Sequence, residues 1–163
     1  MTPQVAVQSE IVASRADYVA AARSFLGARW RHQGRDVTGI DCVGLLVVPA
    51  IRLGLLRPDQ DVTDYPRQQD GAQLAELLRQ RCRRLTRWQD AQPGDILAIK
   101  FAAQPQHVAI VTRPHDPRWG CHILHAWGND EMGGSVVEHR LDNAWLSSHR
   151  ARMHAAFEIR GLG

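Results

Sequence analysis

A cysteine and two histidines in this chain are placed as a nucleophile, a base and an orienting group would be. The cysteine is Cys42, at the head of the apolar run in GIDCVGLLVVPAIRLGLL, residues 39–56. If a helix begins there, the thiol sits at the positive end of its dipole, beside backbone N–H groups without intrahelical partners. That placement favours thiolate over thiol and lowers the cysteine pKa, and the same N–H groups suit a developing oxyanion. A thiolate nucleophile needs a base, and the base needs a group to orient it. PQHVAIVTR sets His107 at the head of one apolar run, and CHILHAWGND sets His125 near the end of the next. If residues 107–113 and 121–127 pair as an antiparallel hairpin, both rings lie at the same end of it, because such pairing brings a start beside an end. His115, His122, His139, His149 and His154 read as ordinary surface or core histidines.

Those residues need elements to hold them. SRADYVAAARSFLGA reads as a first helix, with Ser14 as N-cap, Tyr18, Val19, Ala22, Phe25 and Leu26 at helical spacing, and Gly27 as its stop. RWRHQGRDVTG is a polar loop. Residues 42–53 form a second helix, apolar almost all round, with Pro49 as a break in its hydrogen bonding. RPDQDVTDYPRQQDG is a loop, and AQLAELLRQRC a third, amphipathic helix with Leu74, Leu77 and Leu78 on one face. After residue 90, QPGDILAIKF, HVAIVTR, CHILHAW and SVVEHRL are short apolar runs divided by turn residues, which is the pattern of a strand meander. DNAWLSSHR is a short helix capped by Asp142 or Asn143, and AAFEIRG a last strand. Helices first and antiparallel strands after predict an α+β fold in a single domain, residues 1–163, with 1–13 as an N-terminal arm.

Composition narrows the function. The 163 residues are 44% hydrophobic and 23% charged, ordinary for a folded domain with a core that needs no disulfides. A net charge of +3 is too small to argue for nucleic acid, and the Arg cluster RQRCRRLTR has no aromatic interleaving. It reads as a solvated helix face. Cys42, Cys82 and Cys121 are odd in number and unpaired in spacing, so they read as reduced thiols. No metal site is expected, since zinc ligands usually come as two close pairs, and no cofactor is expected. No run is long enough to span a bilayer. MTPQVAVQSEIVASR lacks the basic head and apolar core of an export signal.

Four ordered stretches, ARSFLGARWRHQGRDVTGIDCVGLL, QPGDILAI, QHVAIVT and ILHAWG, resemble the NlpC/P60 family of cysteine peptidases over residues 15–160. More narrowly, they resemble its phage and prophage branch of tail-associated cell-wall peptidases. The resemblance implies a papain-like α+β fold, with a helix carrying the cysteine packed on an antiparallel sheet carrying the histidines. It implies Cys42 as nucleophile, His107 as general base and then acid, and His125 as the residue orienting that base. Asp41 of the D-C pair would shape the helix start, and Asp95 would serve as a structural turn residue. Trp30, where the family usually has tyrosine, Asp41 and Val43, where serine is common, would line the substrate and oxyanion side. Gln33–Gly34 stands where the family usually has two glycines. The activity implied is cleavage of the γ-D-glutamyl–diamino acid bond of the peptidoglycan stem peptide. The implied partners are that peptide and the hub or baseplate proteins of a phage tail tip. A structural tail-tip or assembly protein that keeps the fold with little activity is the alternative.

Overall fold

Ser14 starts the first helix. Its hydroxyl accepts from the Asp17 N–H at 3.0 Å, the expected N-cap bond. In the computed structural model, which describes residues 10–67, 71–101 and 105–163, helix α1 then runs Arg15–Arg23 and ends at Ser24. It stops short of the predicted span. Phe25 still reaches the core, whereas Leu26 is exposed on the turn that Gly27 closes with φ +83°. The polar loop that follows contains a small antiparallel hairpin, β1 (Arg35–Asp36) and β2 (Gly39–Ile40), which delivers the chain to α2, Cys42–Arg52.

Pro49 lies inside α2 rather than ending it. It forgoes one intrahelical bond, but the helix is held from outside. Its residues are almost all buried, and the Tyr18 hydroxyl of α1 donates to the Leu46 carbonyl at 3.0 Å. Helix α3 (Gly71–Arg81) buries Leu74 and Leu78. Cys82, predicted inside that helix, instead opens strand β3 (Cys82–Arg84). The Arg cluster is a surface feature where it is exposed: Arg79 pairs with Glu76 on its own helix and Arg83 with Glu158 across strands.

The second half is the predicted meander: β4 (Ile96–Lys100), β5 (Pro105–Asp116), β6 (Gly120–Asn129) and β7 (Gly133–Leu141), each antiparallel to the next. Helix α4 (Asn143–Ser148) follows, capped by the Asp142 carboxylate on the Trp145 N–H at 2.9 Å. Strand β8 (Arg152–Ile159) then returns to the far side of β4 and pairs with β3, giving the order β3-β8-β4-β5-β6-β7. Alternation along the strands sends side chains to two faces. Ile96, Ala98, Val108, Ile110 and Leu124 pack against α1, α2 and α3. Leu97, Ile99, Val111 and Ile123 pack on the opposite face under Trp88, Trp145 and Leu146.

Asp95 is the turn residue it was expected to be. Its carboxylate accepts from the Gln92 N–H at 2.8 Å and from the Arg15 guanidinium at 2.7 Å, which ties α1 to the head of β4. Of the predicted arm, residues 1–9 lie outside the described residues, as do 68–70 of the loop after α2. Val12 and Ala13 are bound to the chain's other end, both donating to the Gly161 carbonyl.

Candidate active site

The start of α2 is built around one buried carboxylate. Asp41 is only 2% exposed. Its Oδ1 accepts from the Gly44 N–H at 2.8 Å, the N-cap bond, and its Oδ2 from the Gln33 N–H at 2.7 Å and the Tyr65 hydroxyl at 2.6 Å. Arg35 adds charge at 3.3 Å and is itself held by Asp61 and the Val62 carbonyl. A buried carboxylate needs such a full set of donors. Two glycines allow the close fit: a Cβ on Gly44 would lie 2.3 Å from the Gly34 carbonyl oxygen, and one on Gly34 2.2 Å from the Gly39 oxygen. Gln33 adopts φ 57° to bring its N–H to Asp41.

This framework holds Cys42 at the wall of a polar cavity of about 730 Å³, which Trp30, His32, Asp41, Arg67 and His107 also line. Cys42 comes from the helical side of the sheet. His107 comes from the other side, since β5 alternates and Val108 faces the helices. They line this cavity near the start of β5, where the backbone N–H groups of Val108, Val43 and Cys42 act to lower the thiol pKa.

Behind His107 the rings continue. His107 Nε2 is 2.7 Å from His125 Nδ1, and His125 Nε2 is 2.8 Å from His139 Nε2. His139 Nδ1 lies 2.8 Å from the Arg140 carbonyl oxygen. The register explains the line. Ile110 pairs with Leu124, Ile123 with His139 and His125 with Val137, so the three rings stand diagonally on one face of β5, β6 and β7. Trp127 stacks on His125 with ring centroids 5.5 Å apart, and Trp145 of α4 covers His125 and His139.

Burial governs the electrostatics. It pushes the Cys42 thiol up to about 12, with the charge of Asp41 adding to the effect and the backbone N–H groups opposing it. Burial, then the His139 ring, lowers His107 to about 4. Burial, then the three neighbouring imidazoles, lowers His125 to about 2. Burial thus disfavours the charged form of both groups. The thiol pKa, expected to be lowered by the helix start, is raised instead, because loss of solvation opposes the dipole.

The structure thus brings Cys42, His107 and His125 to one place, with Trp30 and Asp41 on the same cavity. It corrects two assignments. The Val43 side chain does not line this cavity; it is buried in the core and faces an apolar cavity between α2 and α3. Only its backbone N–H acts on the thiol, lowering its pKa. His139, read as an ordinary histidine, is hydrogen-bonded into the ring line. Arg35 and Tyr65, which hold Asp41, had no sequence signal. His139 had one, its shared parity with His125 once the β6–β7 register is known.

No protein-family model matches the chain, and no curated protein matches it. Solved structures do. The chain is similar to the NlpC/P60 domain of the peptidoglycan hydrolase SagA, with TM-score 0.57 and 19% identity, covering 89% of this chain and 98% of that one. It is similar to an NlpC/P60 family protein from Bacillus cereus, with TM-score 0.63, 16% identity and coverage of 94% and 43%. It is also similar to NlpC1 from Trichomonas vaginalis, with TM-score 0.60, 13% identity and coverage of 90% and 44%. The chain spans less than half the length of the last two. At these identities the likeness is one of fold: this is the α+β NlpC/P60 fold that the sequence predicted.

Proposed function

We propose that this chain is a cysteine peptidase that cuts the peptidoglycan stem peptide at the γ-D-glutamyl–diamino acid bond. The observation that carries the reading is the convergence of Cys42 and His107 on one polar cavity, with His107 held through Nε2 by His125. That bond leaves His107 Nδ1 as the nitrogen available to the thiol. As the Cys42 sulfur attacks the amide carbonyl, its proton passes to His107 Nδ1 and the S–C bond forms. The carbonyl oxygen gains negative charge near the first N–H groups of α2. The C–N bond then breaks, the leaving amine takes the proton from His107, and water, activated by the same ring, hydrolyses the thioester. Arg67, Asp130 and Glu131 give the cavity wall both charges, which suits a substrate carrying carboxylates and an ammonium.

The cellular setting belongs to the same proposal. Gln33–Gly34 and the ordered motifs resemble the phage branch, so the chain is read as a component of a tail tip, held there by hub or baseplate proteins. One observation favours the alternative of a structural tail protein: Cys42 is only 6% exposed, and that burial pushes its thiol pKa up. Mass spectrometry of cell-wall fragments after incubation with the protein separates the two. New free amines on the diamino acid, absent with Cys42→Ala, are expected. An intact wall would overturn the peptidase reading. Absence of the chain from purified virions would overturn the tail-tip setting.

A further inference from the structure

We infer that His139 is a positioning residue for the Cys42–His107 pair, acting through His125, and that the Arg140 backbone carbonyl sets the tautomer of all three rings. This rests on the reading of Cys42 and His107 as nucleophile and base.

The argument is one of donors and acceptors. A carbonyl oxygen only accepts, so His139 Nδ1 carries the hydrogen it shares with Arg140. A neutral imidazole has one N–H, so His139 Nε2 is an acceptor, and His125 Nε2 must donate to it. His125 Nδ1 is then an acceptor, and His107 Nε2 must donate to that. His107 Nδ1 is left with a lone pair, the state a base facing Cys42 requires. Without His139, nothing at that end of the line obliges His125 to keep its hydrogen on Nε2. Both of its tautomers then become available, and with them a His107 whose Nδ1 already carries a proton.

The polarity belongs to the neutral cluster. A cationic His139 would donate from both nitrogens. His125 would then accept on Nε2 and donate from Nδ1 to His107 Nε2, which leaves the His107 hydrogen on Nδ1. The groups facing His139 are His125 on β6 and Trp145 on α4, with His149 stacked on Trp145 at 4.1 Å. Arg140, beside it, is paired with Asp142 at 2.9 Å.

The test reads tautomers directly, by nitrogen-15 NMR of the histidine rings at neutral pH. In the natural sequence His107 and His125 should both carry hydrogen on Nε2. His139→Phe keeps the aromatic contacts and removes the acceptor; both rings should then show Nδ1–H forms, and kcat on stem peptide should fall about 10²-fold with KM nearly unchanged. His139→Gln, whose side-chain oxygen can accept from His125, should restore the Nε2–H forms and most of the rate. His107 carrying its hydrogen on Nδ1 in the natural sequence, or tautomers unchanged in a folded His139→Phe, would overturn the inference. The tautomer readout needs no turnover. If the protein cuts no wall peptide yet shows the expected tautomers, the peptidase reading falls and the role of His139 in fixing the rings stands.

Discussion

Burial pushes the Cys42 thiol up to about 12 and lowers His107 to about 4, which disfavours an ion pair between them at rest. The proton then moves from the thiol to the imidazole as the substrate is attacked. Two outcomes follow at the scale of single residues. Iodoacetamide labelling of Cys42 should rise about tenfold per pH unit from neutrality upward, because the thiolate fraction grows that way below a raised pKa; a plateau near neutrality would show a preformed ion pair instead. Cys42→Ala should lower cleavage at least about 10⁴-fold while leaving the thermal midpoint almost unchanged. A large loss of midpoint would mean that the thiol is mainly a packing group.

At the scale of elements, the start of α2 depends on a cap and on two backbone segments in close approach. Gly44→Ala would press a methyl group on the Gly34 carbonyl, so α2 or the loop must shift. A loss of roughly 1–3 kcal/mol is expected in denaturant unfolding, together with loss of activity. Asp41→Ala removes the helix cap and deprives Arg35, Tyr65 and Gln33 of their shared acceptor. It should cost at least about 2 kcal/mol, and Asp41→Asn, which keeps an oxygen for the cap, should cost less. Equal losses for the two would show that the charge matters more than the cap. These elements were only partly legible beforehand. The D-C pair marked the helix start. One of the residues that satisfy Asp41, Tyr65, comes from a loop 24 positions away, and no local pattern ties such a loop to the cap.

For the whole molecule, the buried histidines couple stability to pH. An unfolded histidine takes its proton near 6.5, whereas folded His107 does so near 4 and His125 near 2. Between those values the unfolded chain binds more protons, so stability rises with pH. It should be fully present above about 6.5 and be lost progressively as the pH falls toward 4. Thermal midpoints measured across that range should show the slope, and His125→Gln should flatten it. A flat profile in the natural sequence would mean that the rings are solvated in solution.

The sequence by itself determined the fold class and the order of its main helices and meander strands, because periodicity, caps and turn residues are local. Ser14, Asp142 and the alternating runs after residue 90 were enough to place α1, α4 and the meander. Its motifs also pointed to Cys42, His107 and His125 together. The tertiary structure decided what depends on register and burial. The pairing of Ile123 with His139 turned an unremarkable histidine into the end of a ring line. Strand β8 was legible as a strand, yet its insertion between β3 and β4 was not, because nonlocal pairing leaves no local mark. The direction of the Cys42 pKa shift was likewise decided in three dimensions. A helix dipole can be read from sequence, but the solvent a thiol loses depends on every segment that closes over it.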